Sequence, residues 1–196
     1  MYYGVYANVR GSAWRCLNDF NISSLPVDVI GIAKAADIRM VKNSDIGSLE
    51  GDELASTVAI EDTLTIIYDD QAPIEGVRYS IAHELGHIFL GHETSKIKYS
   101  NALGFKQTAS AEKQANSFAV RLLCPACIIW ALGLDSPEDI AQYCRVDISV
   151  AKSRYERMKT LNKRNKFLTD PLEKELFERF GEYVEIERKK KGMWAE

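Results

Sequence analysis

The chain has 196 residues, of which 46% are hydrophobic and 27% charged, enough for one domain, or one domain with a small appendage, to bury a core unaided. The formal net charge of -3 gives none of the overall basic character that nucleic-acid binders carry, although a local basic face stays open. Met1-Tyr2-Tyr3-Gly4-Val5 lacks the regions of a secretory signal, and no apolar run approaches the ~18 residues of a membrane helix. A cytoplasmic, reducing setting is therefore expected, with Cys16, Cys124, Cys127 and Cys144 held as thiols.

Along the chain, residues 5 to 20 read as a helix, weakened by Gly4 and Gly11. Ser23-Ser24-Leu25-Pro26 reads as a second helix start, followed by Val29, Ile30, Ile32, Ala33 and Ala36 at helical spacing. Ile38 to Lys42 alternates like a strand. Residues 56 to 60 and 63 to 68 are β-prone runs joined by Glu61-Asp62, which predicts a hairpin. From Pro73 onward the pattern is helical. Helices are expected over 75 to 90, ending at Gly91, and over 109 to 123, ending before Pro125. Shorter ones follow at 126 to 132, 137 to 143 and 147 to 160. After Asp170-Pro171 a single amphipathic helix carries Leu172, Leu176, Phe177, Phe180 and Val184 on one side and frays into Lys189-Lys190-Lys191. The expected class is α+β, with a small antiparallel sheet of about three strands beside a helical majority. Residues 1-132 are expected to form the core and residues 133-196 a helical C-terminal module.

All three histidines lie between residues 83 and 92. His83-Glu84-Leu85-Gly86-His87 is an HExxH segment. Four residues apart on a helix, His83 and His87 lie about 40° apart on one face and can both reach one ion. Glu84, rotated by about 100° from His83, stands beside such an ion, where a general base would take a proton from an activated water. The ordinary alternative is a pair of surface histidines. The flanks Val77, Tyr79, Ile81, Ala82, Ile88, Phe89 and Leu90 argue against it, because they make the helix mostly buried and buried imidazoles need partners. Gly86 leaves room for another backbone.

A catalytic zinc takes three protein ligands and keeps one position open. The candidates for the third ligand are His92, Glu93 and Glu112. The metzincin arrangement would need glycine at position 90 and histidine at position 93, and the chain has Leu90 and Glu93. His92 lies beyond Gly91 and reads as a cation at a helix C-terminus, or as a side chain lining the cleft that steadies a substrate oxyanion. Glu112 opens a helix whose face of Glu112, Ala115, Asn116 and Ala119 is small enough for close approach. It reads as a ligand or as a first-turn carboxylate complementing the helix dipole. One turn on, the Asn116 oxygen could accept from the unligated nitrogen of His83 or His87.

These segments together resemble a known family. Leu25-Pro26-Val27-Asp28, the strand into Ile66-Ile67-Tyr68, Arg78-Tyr79-Ser80-Ile81-Ala82 with the HExxH and His92, and Glu112-Lys113-Gln114-Ala115-Asn116-Ser117-Phe118-Ala119 with Leu122-Leu123-Cys124-Pro125 are similar to the ImmA/IrrE metallopeptidases. The resemblance covers roughly residues 25 to 160. It implies a zincin-like, gluzincin-type core with one catalytic Zn2+ held by His83, His87 and Glu112, and with Glu84 as the base. It also implies a protein substrate, a helix-turn-helix repressor, whose cleavage derepresses mobile-element, phage or stress genes. Cys124 departs from the family, which more often has an apolar residue before the proline.

Two rival functions belong to other classes. One is an anti-repressor that binds without cutting. The other is a DNA-binding regulator using residues 137-158, where Lys152, Arg154, Arg157 and Lys159 make the second helix basic; a solvated charged face is the plainer reading, and direct nucleic-acid binding is not expected. Cys124-Pro125-Ala126-Cys127 follows a helix rather than a strand, so it reads as buried thiols and not as a redox motif. Tyr79 and His92 are open candidates for an oxyanion partner.

Overall fold

The computed structural model describes residues 9–60, 63–92 and 109–192. In chain order the elements are α1 (Val9–Asp19), α2 (Val29–Ala35), β1 (Arg39–Lys42), α3 (Asn43–Ile46), β2 (Ala55–Ile60), β3 (Thr63–Tyr68), α4 (Ile74–Leu90), α5 (Ala109–Leu123), α6 (Ala126–Ala131), α7 (Pro137–Cys144), α8 (Ile148–Lys163), α9 (Pro171–Arg179) and α10 (Gly181–Lys190). This is the α+β arrangement expected from the pattern. Residues 5 to 8 of the first expected helix and the hairpin connection Glu61-Asp62 lie outside the described residues. Among the described residues no helix is long and apolar enough to cross a membrane.

The second helix begins later than Pro26. Asp28 is its N-cap, and the Asp28 carboxylate accepts from the Gly31 N–H at 2.9 Å. A short acceptor that satisfies an orphan N–H of the first turn defines the start better than proline does, because proline only tolerates that position.

The chain divides into two units, Met1–Ser12 with Asp28–Ala119, and Ala13–Val27 with Val120–Glu196. In the first, the sheet has the order β1-β3-β2. β2 and β3 are antiparallel, with Thr57 opposite Ile66. β1 and β3 are parallel, with Met40 opposite Ile66, so the expectation of a wholly antiparallel sheet is corrected. The chain reverses through α3 between β1 and β2, and the hairpin then inserts β3 between them. Two oppositely directed outer strands cannot both oppose the strand in the middle. The central strand buries Thr65, Ile66 and Ile67. Helix α4 packs on β2, β3 and α2 and buries Val77, Ile81, Ala82, Leu85, Ile88 and Phe89. It ends at Gly91 in the left-handed conformation, φ 69°, which glycine adopts without penalty.

Helices α4 and α5 approach closely at Gly86. A Cβ placed there would lie 3.1 Å from both the Cα and the carbonyl oxygen of Ala115 and 3.2 Å from Cδ1 of Phe118. Phe89 and Phe118 extend the same seam with ring centroids 6.0 Å apart.

In the second unit, Ser136 caps α7 by accepting from the Asp139 N–H at 3.0 Å, and Asp147 caps α8 by accepting from Ser149 at 2.7 Å. The two helices lie on either side of the turn that the sequence suggests. The basic face expected on α8 is incomplete. Arg154 is only 6% exposed, and its Nε donates to the Cys124 carbonyl at 2.8 Å, while Arg157 is exposed. The four cysteines are buried thiols, and burial pushes the Cys127 thiol up to about 12, far from the thiolate that reactivity requires. The last expected helix is two: α9 closes at Phe180, and α10 follows from Gly181. Leu176, Phe180 and Val184 are buried across the junction, so the apolar stripe continues although the helix does not.

Gly86→Ala is expected to lower stability by about 1–3 kcal/mol, the usual cost of overpacking, because its new methyl meets backbone that cannot rotate away. Urea unfolding followed by circular dichroism measures this. By the same method Arg154→Ala should cost about 1–3 kcal/mol by removing a buried charge-assisted hydrogen bond, whereas Arg157→Ala should stay within about 0.5 kcal/mol. Equal effects at the two arginines would contradict the burial of Arg154.

Candidate metal centre

The polar groups of the site come from β2, α4, α5 and the turn that follows α4. His83, Glu84 and His87 lie on α4, and Glu112 is in the first turn of α5. The Gly86 contact brings the two helices together between His83 and His87 in the sequence of α4. After Gly91, the His92 N–H bonds the His87 carbonyl at 2.9 Å. This closing bond across the helix end turns His92 back toward His87 and away from the line of the helix.

Three side chains converge. His83 Nε2 and His87 Nε2 are 2.9 Å apart. Glu112 places one carboxylate oxygen 3.2 Å from His83 Nε2 and the other 3.4 Å from His87 Nε2. Among the described residues, these three form the group of ligand-type atoms that lie within 4.8 Å of one another. Ligands about 2.0–2.1 Å from a tetrahedral ion sit roughly 3.3 Å from each other, which is close to the spacing found.

Hydrogen bonds behind the rings test whether the residues fit a metal. The Asn116 oxygen lies 3.0 Å from His83 Nδ1 and also accepts from the Tyr79 hydroxyl at 2.9 Å. An amide oxygen only accepts, so His83 Nδ1 carries the proton and the neutral ring shows its lone pair at Nε2. His87 is buried, and its pKa is lowered to about 4 by that burial first and by His83 and His92 next, so it is neutral near pH 7. Two imidazoles and a carboxylate facing one point are the donor set of a His-His-Glu zinc site. The residues fit the ion.

Glu84 is oriented by β2. The Thr57 hydroxyl donates to one Glu84 carboxylate oxygen at 2.5 Å. Burial raises the Glu84 pKa above the ordinary carboxylate value, while the Thr57 hydrogen bond and His83 oppose that rise and Glu112 adds to it. A base needs such a balance, because it must be ionised before it takes a proton and must hold the proton afterwards.

The sequence expectations are distributed unevenly over this geometry. His83, His87 and Glu112 are together, with Glu84 beside them. Asn116 meets His83 and not His87. Glu93 lies outside the described residues. His92 is not among the converging atoms; its Nδ1 lies 3.1 Å from His87 Nδ1. The Tyr79 hydroxyl is engaged by Asn116. Thr57 escaped the sequence reading, because a threonine within a β-prone run carries no spacing signal, and it is only 5% exposed. Gln114, whose Oε1 is 3.4 Å from His92 Nε2, escaped for the same reason.

Residues 37–156 match the family model of the IrrE N-terminal-like domain, Peptidase M78. The chain belongs to this family. The match spans the sheet, α4, α5 and every residue of the converging cluster, and it bears out the resemblance read from the HExxH and Glu112 segments. No curated protein matches the chain. M78 membership supports a peptidase-type function acting on protein, and the His-His-Glu cluster is consistent with the metal of such an enzyme.

Thr57→Val removes a donor that lowers the Glu84 pKa, so the Glu84 carboxyl should titrate at higher pH in the variant than in wild type. A carbon-detected NMR titration of the metal-free proteins measures this. A downward shift would mean that Thr57 is not the group holding the carboxylate.

Proposed function

We propose that this chain is a zinc-dependent endopeptidase of the cytoplasm that cuts a helix-turn-helix repressor and so switches on mobile-element, phage or stress genes. The observation that carries the reading is the convergence of His83 Nε2, His87 Nε2 and the Glu112 carboxylate next to a second, half-buried carboxylate. His83, His87 and Glu112 would hold the ion, which when bound supplies Lewis acidity toward a peptide carbonyl and toward water. Glu84 takes a proton from the attacking water at the oxygen that Thr57 leaves free. As the water oxygen bonds to the carbonyl carbon and the C–N bond breaks, Glu84 delivers that proton to the departing amine.

The substrate would enter extended. β2 is one of the two outer strands of the sheet, and a strand edge offers backbone N–H and C=O groups to an added segment. Thr57 lies on this strand, so the strand that would align the substrate also holds the base. Residues 133-196 would serve as a helical module that docks the rest of the repressor. The repressor as substrate rests on the family resemblance. The burial of Arg154 takes from the DNA-binding alternative one of the two arginines it relies on.

The test mixes a helix-turn-helix repressor, taken from the neighbouring gene where one is encoded there, with zinc-loaded wild type and with Glu84→Gln. Wild type should yield fragments on a gel. Glu84→Gln should bind one zinc per chain and cut slower by about 10²–10⁴-fold, the usual worth of a general base. Cleavage by Glu84→Gln at the wild-type rate refutes the base. Intact repressor released from DNA by both proteins refutes proteolysis and favours sequestration.

A further inference from the structure

Hydrogen bonding does not stop at His87; it continues outward along a line that the proposed reaction does not use. His87 Nδ1 faces His92 Nδ1 at 3.1 Å. His92 Nε2 faces Gln114 Oε1 at 3.4 Å, and the Gln114 amide nitrogen donates to the Ser110 hydroxyl at 3.3 Å. We propose that His92 is a positioning residue for the metal centre: it accepts the His87 Nδ1 proton and so fixes the His87 lone pair on Nε2, facing His83 and Glu112. The proposal rests on the reading of His83, His87 and Glu112 as ligands.

The direction of the chain follows from what each atom can do. Gln114 Oε1 is an amide oxygen and only accepts, with the amide oriented by its own donation to Ser110. His92 Nε2 therefore carries a proton, and the neutral His92 ring has its lone pair at Nδ1. Two ring nitrogens 3.1 Å apart form a hydrogen bond only if one of them donates, so His87 Nδ1 carries the proton. That leaves His87 Nε2 bare, as a ligand atom must be. The opposite direction fails at the metal. A cationic His92 would donate to His87 Nδ1, drive the neutral His87 proton onto Nε2, and cap the nitrogen that the ion needs. The helix-terminal cation reading of His92 is thus incompatible with ligation by His87.

The two histidines are therefore served alike from opposite sides. Asn116 holds His83 by accepting at Nδ1, and His92 does the same for His87. Ligand histidines commonly hand their second N–H to an acceptor, and loss of that acceptor typically costs 10–100-fold in metal affinity. His92 reaches its place through the Gly91 turn, whose closing bond from the His92 N–H to the His87 carbonyl fixes the two residues to each other.

The experiment measures zinc affinity of the full chain by competition with a chromophoric chelator, zinc alone being the probe. His92→Phe should bind about 10–100-fold more weakly. His92→Asn, which keeps an acceptor near the Nδ1 position, should stay within about threefold of wild type, a small part of that same range. Phenylalanine fills the space of the ring better than asparagine, so a role in packing alone would give the reverse order and would overturn the proposal. Wild-type affinity in His92→Phe overturns it as well. His83→Ala and Glu112→Ala separate the two layers of the argument. If they bind zinc like wild type, the ligand reading fails; if they lose zinc while His92→Phe does not, only the role of His92 fails. Should His92→Phe not fold, nitrogen-15 spectra of zinc-free wild type decide. A proton on His87 Nδ1 and on His92 Nε2 supports the proposal, and a proton on His87 Nε2 overturns it.

Discussion

The distance between α4 and α5 governs the cluster of His83, His87 and Glu112. Glu112 lies on one helix and the histidine pair on the other, and a carboxylate on a short stem reaches across only if the backbones nearly touch. Gly86 against Ala115 provides that contact, and a methyl group added at Gly86 would lie only 3.1 Å from the Ala115 backbone. Most helix pairs are held 8–10 Å apart by their side chains; a glycine facing an alanine removes both spacers. The seam is then closed by apolar surface, with Phe89 on Phe118 and Leu85 buried beside Gly86 in α4. Burial of this apolar seam thus brings together polar groups that would not assemble by themselves, because His87 and Glu84 lose hydration as they enter.

What could be read from the sequence was what is local and periodic. The HExxH spacing, the stop at Gly91 and the small face of α5 each state a local rule, and the helices lie where those rules put them. The order of strands is not local. Nothing in Arg39 to Lys42 says whether its neighbour will be the next strand or the one after, so β1 pairs in parallel with β3 against the simpler expectation. Arg154 shows a second limit. A basic side chain on a basic helix looks solvated until a carbonyl such as that of Cys124 is placed over it, and the aliphatic stem of arginine tolerates burial. Thr57 shows a third: its partner Glu84 is 27 residues away, and only the packing of β2 on α4 brings them together.

The two carboxylates of the site are chemically alike and differently housed. Glu112 keeps 42% of its side-chain surface exposed, as a group open to solvent at a helix start. Glu84 is enclosed and fixed by one short hydrogen bond from the sheet. In the proposed reaction the first must remain an anion throughout, and the second must alternate between carboxylate and acid. Burial makes protonation of Glu84 accessible. Environment, more than residue type, assigns the roles.

The same logic extends to the imidazoles. A histidine can be a ligand only through a nitrogen that carries no proton, and an isolated neutral ring in water is free to place its proton on either one. The fold removes that freedom with acceptors: Asn116 for His83 and, by the argument above, His92 for His87. Asn116 lies one helical turn from Glu112, and Gln114, which orients His92, lies between them on α5. In the proposed reading, the helix that carries Glu112 therefore also sets the tautomers of the two histidines. A displacement of α5 would disturb all three donors at once, which is why a single glycine on the facing helix has so large a claim on the site.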